Sequence, residues 1–86
     1  MLFVQDKNIS VLEKELRKAN SKEKLENLLK GLLTPTEIEE FAERIRIVQL
    51  LKKGVPQHTI ASELGVGVAT VSRGAREIKL GNFNTI

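Results

Sequence analysis

The sequence predicts an all-α protein of about five helices that contains a helix-turn-helix. Apolar residues recur at spacings of three and four through most of the 86 residues, which is the period of an amphipathic helix. Helix start signals precede these runs, and glycine or proline follows them. We find no run with the period-two alternation of a strand. A chain of this length has room for one domain with a modest core.

The first helix is predicted from a capping box. Ser10-Val-Leu-Glu13 has a hydroxyl and a carboxylate three residues apart, so the helix is expected to begin at Ser10 and to end near Lys18. Residues 1–9 are partly apolar without a clean period. They could extend this helix or pack as an arm against a partner chain.

Two further start signals predict the second and third helices. Asn20-Ser-Lys-Glu23 opens a helix that is expected to reach Gly31, with leucines on one face. Thr34 and Pro35 open the third helix as N-cap and first helical residue, and acidic residues follow in its first turn. Two lysines and Gly54 are expected to close it.

The third helix is unusually apolar. One face carries Ile38, Phe41, Ala42, Ile45 and Val48, and the second half adds Ile47, Leu50 and Leu51. A helix that is apolar nearly all round is buried centrally or lies in a dimer interface.

Arg44 falls on the predicted buried face of this helix, among Ile47, Val48 and Leu51. A buried guanidinium needs an anionic partner, since its desolvation costs several kcal/mol. One interpretation is an arginine whose head reaches solvent or pairs with Glu40 or Glu43. The other is that Arg44 binds the carboxylate of a small ligand.

Residues 57–73, QHTIASELGVGVATVSR, have the spacing of a helix-turn-helix. Ala61 is small enough for two helices to cross closely, and Gly65 stands where the chain must turn, often with φ > 0. The core of the motif is expected to consist of Ile60, Leu64, Val66, Val68 and Val71. Pro56 precedes the first helix, the second is expected from Val68 to Lys79, and the last residues are turn-like.

The charge of the chain is concentrated at this motif. Residues 1–51 contain nine Lys/Arg and nine Asp/Glu, so the net charge of +3 lies within residues 52–80. A basic excess beside a helix-turn-helix indicates phosphate contact, although a solvated lysine-rich surface would also explain it. The outward face of the last helix offers Ala69, Thr70, Ser72, Arg73, Arg76 and Lys79. These side chains are interpreted either as contacts to base edges and phosphates or as ordinary helix surface.

Several other classes of protein are excluded or disfavoured. The chain has no cysteine and one histidine, so a disulfide framework, a thiolate metal site and a two-histidine cluster within one chain are impossible. His58 has no evident nucleophile arranged with it, and we predict that the protein is not an enzyme. No apolar run approaches the roughly 20 residues that span a bilayer. A cytoplasmic protein without metal or cofactor is therefore expected.

The stretch LLTPTEIEEFAERIRIVQLLKKG, followed by ELGVGVATVSRGAREIK, resembles the tryptophan repressor family of bacteria over residues 32 to about 80. The resemblance implies an intertwined all-helical homodimer that represses transcription by binding a palindromic DNA operator when L-tryptophan is bound as corepressor. The chain is expected to form a single domain over residues 1–86. Within it, residues 1–33 would form dimerisation helices, residues 34–54 the central helix and residues 57–80 the helix-turn-helix.

The resemblance also implies residue roles. Arg44 and Arg73 would hold the carboxylate of the ligand, and Gly74 would leave room for the indole beside Val48. The carbonyl of Leu33 and the side chain of Thr34 would meet the amino acid from the partner subunit. Glu77 stands on the ligand-facing side, where the family tends to have a small hydroxyl; it could take the ammonium, repel the carboxylate or alter specificity.

The predicted DNA-binding residues are Gln57, His58, Gly67, Val68, Ala69, Thr70, Ser72 and Arg76. Gly67, Val68, Ala69 and Ser72 align with groove-facing positions of the family, and Gln57 and His58 with its phosphate-contacting region. A ligand wedged between the core and the recognition helix would set the angle of that helix. Two alternatives stay open: a DNA-binding regulator that does not respond to tryptophan, and a helical protein-interaction module or DNA-targeting fragment of a larger recombinase-like enzyme.

Overall fold

A computed structural model describes residues 2–86, with side chains from Asp6 onward. It contains five helices: α1 (Leu2–Lys18), α2 (Lys22–Leu32), α3 (Pro35–Lys52), α4 (Gln57–Leu64) and α5 (Val68–Lys79). The chain from residue 2 to residue 86 has no strand. The predicted all-α class with a helix-turn-helix is confirmed.

Helix α1 begins eight residues earlier than predicted. Ser10 lies inside the helix, so the prediction that it caps the first helix is wrong. Residues 2–9 contain neither proline nor glycine, so nothing breaks the helix before Ser10, and serine costs little in a helix interior. Of the two alternatives for this segment, the extension of the helix holds for residues 2–9.

Helix α2 also differs slightly from the prediction. Its N-cap is Ser21 rather than Asn20, because the Ser21 hydroxyl accepts a hydrogen bond of 3.2 Å from the backbone N–H of Lys24. The helix ends at Leu32, one residue beyond the predicted end at Gly31.

Helix α3 begins and ends where the sequence predicts. The Thr34 hydroxyl accepts from the Glu37 N–H at 3.1 Å, and the Glu37 carboxylate accepts from the Thr34 N–H at 2.9 Å. This reciprocal pair is a capping box, which satisfies two N–H groups that the helix itself leaves unpaired. At the other end, the helix stops at Lys52 and the chain turns at Gly54 with φ of +86°.

The chain forms two compact units, which divide after Ile38. The amino-terminal unit, up to Ile38, contains α1, α2 and the first turn of α3. The carboxyl-terminal unit, Glu39–Ile86, contains the remainder of α3 with α4, α5 and the turn that follows. The prediction of one domain in three parts stays a prediction.

The carboxyl-terminal unit has a small, well-buried core. Its buried side chains are Ile47, Val48, Ile60, Ala61 and Val71, and partly buried apolar residues pack against it, including Leu64 and Val66. The predicted core residues of the motif are thus present, with one exception.

Val68 is about half exposed, so its predicted place in the core is wrong. A helical side chain covers the turn that precedes it, and Val68 is the first residue of α5, so it has no such turn to pack on. Val66, in the connection between the helices, packs against the core instead.

Only part of the apolar surface of α3 is buried. Ile47 and Val48 are almost fully buried, whereas Phe41 and Ile45 are exposed. Central burial on all sides is therefore not observed for α3 in this chain, and its place in a dimer interface stays a prediction.

Candidate functional site

The turn of the helix-turn-helix begins with a glycine in the left-handed region of backbone conformation. Gly65 ends α4 with φ of +68°, and its N–H donates to the Ala61 carbonyl. Such a φ is costly for other residues but not for glycine. Gly67 then precedes α5 as its N-cap residue, and a Cβ added there would meet no atom within 4 Å. The start of α5 is thus open to the close approach of a ligand or a nucleic acid.

Most of the predicted DNA-contacting residues are exposed. His58 is exposed on α4, and the exposed residues at and after the start of α5 are Gly67, Val68, Ala69, Thr70, Ser72 and Arg76. Gln57 is half-buried, and its side-chain oxygen accepts a hydrogen bond of 2.7 Å from the Ser72 hydroxyl. This contact joins the start of α4 to α5, and no pattern in the sequence predicts it. It occupies part of the hydrogen-bonding capacity of two predicted DNA contacts.

A cleft of about 60 Å³ lies between α3, α5 and the turn after α5. It is lined by Arg44, Ile47, Val48, Thr70, Arg73, Gly74, Glu77 and Phe83. Five of the seven predicted ligand residues therefore meet at one place. The other two, Leu33 and Thr34, belong to the amino-terminal unit, where Thr34 caps α3.

Arg44 is exposed, so the expectation that it is buried is wrong. Its guanidinium carbon lies 5.4 Å from the centre of the Phe41 ring, within the range of a cation–π interaction. Among the described residues it forms no ion pair with Glu40 or Glu43. The physical reason is the length of the side chain, which carries the charge past the apolar face to solvent.

Gly74 is placed where α5 comes close to α3. A Cβ at this position would lie 3.2 Å from Cγ2 of Ile47 and 3.5 Å from Cδ1 of Leu51. The first distance is shorter than ordinary van der Waals contact between carbon atoms. The absence of a side chain at Gly74 therefore permits the two helices to pack, in addition to any space it leaves in the cleft.

The cleft carries charges of both signs. Arg44 and Arg73 bring two guanidinium groups, and Glu77 brings one carboxylate. The Glu77 carboxylate accepts a hydrogen bond of 2.7 Å from the side-chain amide of Asn82, in the turn after α5. A carboxylate has several acceptor positions, so this bond leaves Glu77 able to accept others.

Three lining residues are not among the predicted ligand contacts: Ile47, predicted only as an apolar residue of α3, Thr70, predicted to contact DNA, and Phe83. Phe83 has no predicted role. It is the only aromatic residue after Phe41, but it lies in a stretch that was predicted only as turn-like. Its position depends on a contact that is distant along the chain: the Lys52 ammonium donates to the backbone carbonyls of Phe83 and Ile86. Nothing in the local sequence indicates that pairing.

The described part of the chain contains no group of three or more His, Cys, Asp and Glu residues arranged to hold a metal ion. Within the same residues, every helix is too short or too polar to cross a membrane.

Comparison with known proteins identifies several similar repressor homologs. The chain is similar to the Trp operon repressor homolog of Vibrio vulnificus (strain YJ016), with 48% identity over 54 residues, or 62% of this chain and 53% of that protein. It is 45% identical over 65 residues to the homolog of Photobacterium profundum, which covers 74% of this chain and 63% of that protein. With the homolog of Xylella fastidiosa (strain Temecula1) it shares 33% identity over 80 residues, which covers 92% of this chain and 87% of that protein.

The chain spans about half the length of the Vibrio vulnificus relatives that it matches. No solved structure matches it. The family model described as Trp repressor protein matches residues 7–85, which include all five of the cleft residues predicted to bind a ligand. Members of this family are DNA-binding regulators rather than enzymes. The match extends over nearly the whole chain, and we conclude that the protein belongs to the Trp repressor family.

Proposed function

We propose that the protein is a sequence-specific DNA-binding transcriptional repressor that acts as a homodimer, with L-tryptophan as corepressor. The observation that carries this proposal is the cleft, which brings Arg44 of α3 and Arg73 of α5 to the same place. A ligand bound there would contact both α3 and α5, the recognition helix.

The chemistry of the cleft fits a zwitterionic amino acid. Guanidinium groups bind carboxylates with two parallel hydrogen bonds, so Arg44 and Arg73 suit the ligand carboxylate. Glu77 supplies an anion for the ammonium group. Ile47 and Val48 give an apolar floor on which the side chain of the ligand would rest.

The size of the cleft and the exposed apolar surface support a homodimer. Small-molecule sites usually enclose about 300–1,000 Å³, several times the 60 Å³ of this cleft. A partner subunit would complete the site with its own Leu33 and Thr34.

The amino-terminal unit exposes large apolar side chains, namely Ile9, Val11, Leu12, Leu16, Leu25 and Leu32. Surfaces of this kind mark interaction sites.

The DNA-binding part of the proposal rests on α5. Its exposed first turn has small residues that allow a close approach to base edges in the major groove, and Arg76 follows on the same helix. Arg73 belongs to both the cleft and α5, so ligand binding would bias the angle of this helix. A homodimer would then place two recognition helices at the half-site spacing of a palindromic operator.

The experiment is an electrophoretic retardation and fluorescence anisotropy titration of the full chain on the DNA upstream of its own gene, with and without L-tryptophan. We expect L-tryptophan to lower the Kd for DNA by about fivefold to 150-fold, the usual range of coupling between two binding sites. We expect the affinity to fall steeply with salt, since phosphate contacts release counterions.

The matched variants are Arg44→Ala and Arg46→Ala. Both remove an exposed arginine from α3, but only Arg44 lines the cleft. Arg44→Ala should abolish the response to L-tryptophan and Arg46→Ala should retain it. Equal responses in the two variants would contradict the role of the cleft.

Glu77 favours a second candidate, a DNA-binding regulator of this family that does not respond to tryptophan. Its carboxylate lines the cleft close to where the carboxylate of a ligand would bind and would repel it. Retardation of DNA without heat in a calorimetric titration with L-tryptophan would support this candidate. If no duplex is retarded even at low salt, the protein is instead a helical interaction module.

A further inference from the structure

The turn that follows α5 forms one wall of the cleft. Residues 80–86, here called the carboxyl-terminal turn, lie beyond the end of α5 at Lys79 and contribute Phe83 to the lining. Phe83 is half-buried and is the only aromatic side chain among the lining residues. The other large apolar side chains of the lining, Ile47 and Val48, are buried in the floor.

Hydrogen bonds from two directions hold this turn. Lys52, the last residue of α3, donates to the carbonyl of Phe83 and, at 2.9 Å, to that of Ile86. Asn82 donates from its side-chain amide to the Glu77 carboxylate and from its backbone N–H to the Glu77 carbonyl, at 2.7 and 3.1 Å. Gly81, with φ of +86°, reverses the chain between these contacts. The backbone of Phe83, from which its ring extends into the cleft lining, is therefore held by the fold.

We infer that Phe83 is a specificity-determining residue, whose ring selects amino acids with an aromatic side chain over aliphatic ones. This inference rests on the proposed function, since it concerns the same cleft. Aromatic rings interact with each other by edge-to-face or offset stacking beyond the burial of apolar area. An aliphatic ligand of similar size would gain only the burial.

Lys52 acts as a positioning residue for Phe83. It does not line the cleft, and its two hydrogen bonds go to backbone carbonyls of the carboxyl-terminal turn. Loss of its ammonium group would leave the Phe83 ring less well held against the cleft. The effect on ligand selection would then have the same direction as loss of the ring but a smaller size.

The test is calorimetric titration of the full chain with L-tryptophan, L-phenylalanine and L-leucine. It compares the unmodified protein with Phe83→Leu, which keeps an apolar side chain of similar size but removes the ring. A second pair is Lys52→Met and Lys53→Met, adjacent exposed lysines of which only Lys52 contacts the turn in the described structure. Circular dichroism and a thermal melt would establish that each variant is folded.

In the unmodified protein, we expect both aromatic amino acids to bind more tightly than L-leucine. Phe83→Leu should lower this preference by about threefold to tenfold, the size of an aromatic pair interaction. Lys52→Met should lower it by a smaller factor, and Lys53→Met should leave it unchanged.

An unchanged preference in Phe83→Leu would overturn the inference while leaving the proposed corepressor intact. Equal effects of the two lysine variants would overturn the positioning role of Lys52. If the unmodified protein binds none of the three amino acids, the proposed corepressor fails and the inference fails with it.

Discussion

The two units of this chain use similar apolar content in opposite ways. The carboxyl-terminal unit buries Ile47, Ile60 and Val71 almost completely within the single chain. The amino-terminal unit has leucine and isoleucine at helical spacing on α1 and α2, yet no described side chain in it is buried. An apolar helix face therefore predicts that the face is covered, but it does not show whether the same chain or a partner chain covers it.

Polar contacts differ between the units in the same way. In α1, exposed neighbours pair along the helix, as Arg17 does with Glu13 and Lys18 with Glu15. Such surface ion pairs contribute about 0–1 kcal/mol each. In the carboxyl-terminal unit, hydrogen bonds connect separate segments: Ser72 to Gln57, and Lys52 to the turn after α5. These contacts define tertiary structure, whereas those of α1 support only the helix itself.

The largest expected effect is in the core of the carboxyl-terminal unit. Ile60→Ala should lower the free energy of unfolding by about 2–5 kcal/mol, because it leaves a cavity at a fully buried position. Urea denaturation followed by circular dichroism, at one fixed protein concentration, measures it. The control is Leu80→Ala, an exposed residue whose replacement should change stability by less than about 0.5 kcal/mol. Similar costs for the two variants would contradict the description of this unit as the one with its own core.

The second prediction concerns the exposed apolar face of α1. Leu12→Ser should weaken self-association at least about tenfold, since burial of a leucine side chain contributes about 1.5–3 kcal/mol. Sedimentation equilibrium measures the Kd of the proposed homodimer. Lys14→Ser, another exposed replacement on α1, serves as the control and should leave that Kd nearly unchanged. Equal self-association of the two variants would contradict the proposal that a partner chain covers the apolar face of α1.

The smallest expected effect compares one helical glycine from each unit. Gly74→Ala should lower the free energy of unfolding by about 1 kcal/mol. The strain between the new methyl group and Ile47 is expected to exceed the gain in helix propensity. Gly31→Ala should stabilise by about 0.5–1 kcal/mol, since no atom lies within 4 Å of the added Cβ. Thermal and urea unfolding of both variants measure the difference. The same sign in both would mean that packing at Gly74 is looser than the structure shows.

Much of the fold could be predicted because its signals are local. Thr34 and Pro35 start α3, and Gly65 closes α4 at a conformation that glycine adopts without cost. The predicted boundaries of α5 agree with the structure at both ends. The errors also have local causes. Ser10 has the spacing of a capping box but lies inside a longer helix, and Asn20 competes with Ser21 for the same capping role.

The site could be predicted only in part. The helix pattern singles out Arg44, the resemblance to the family adds Arg73, Gly74 and Glu77, and all four line one cleft. Phe83 was not named, since its place depends on hydrogen bonds from Lys52, which is 31 residues away in the chain. Periodicity and capping signals contain no information on such contacts.

The helix-turn-helix and the bounds of α3 and α5 follow from the sequence, because backbone hydrogen bonds and capping act within a few residues. Only packing places Arg44 in solvent beside Phe41, α5 against α3 at Gly74, and Phe83 in the cleft lining. Each of these depends on which distant atoms come within a few ångströms. That is a property of packing, which local spacing along the chain does not specify.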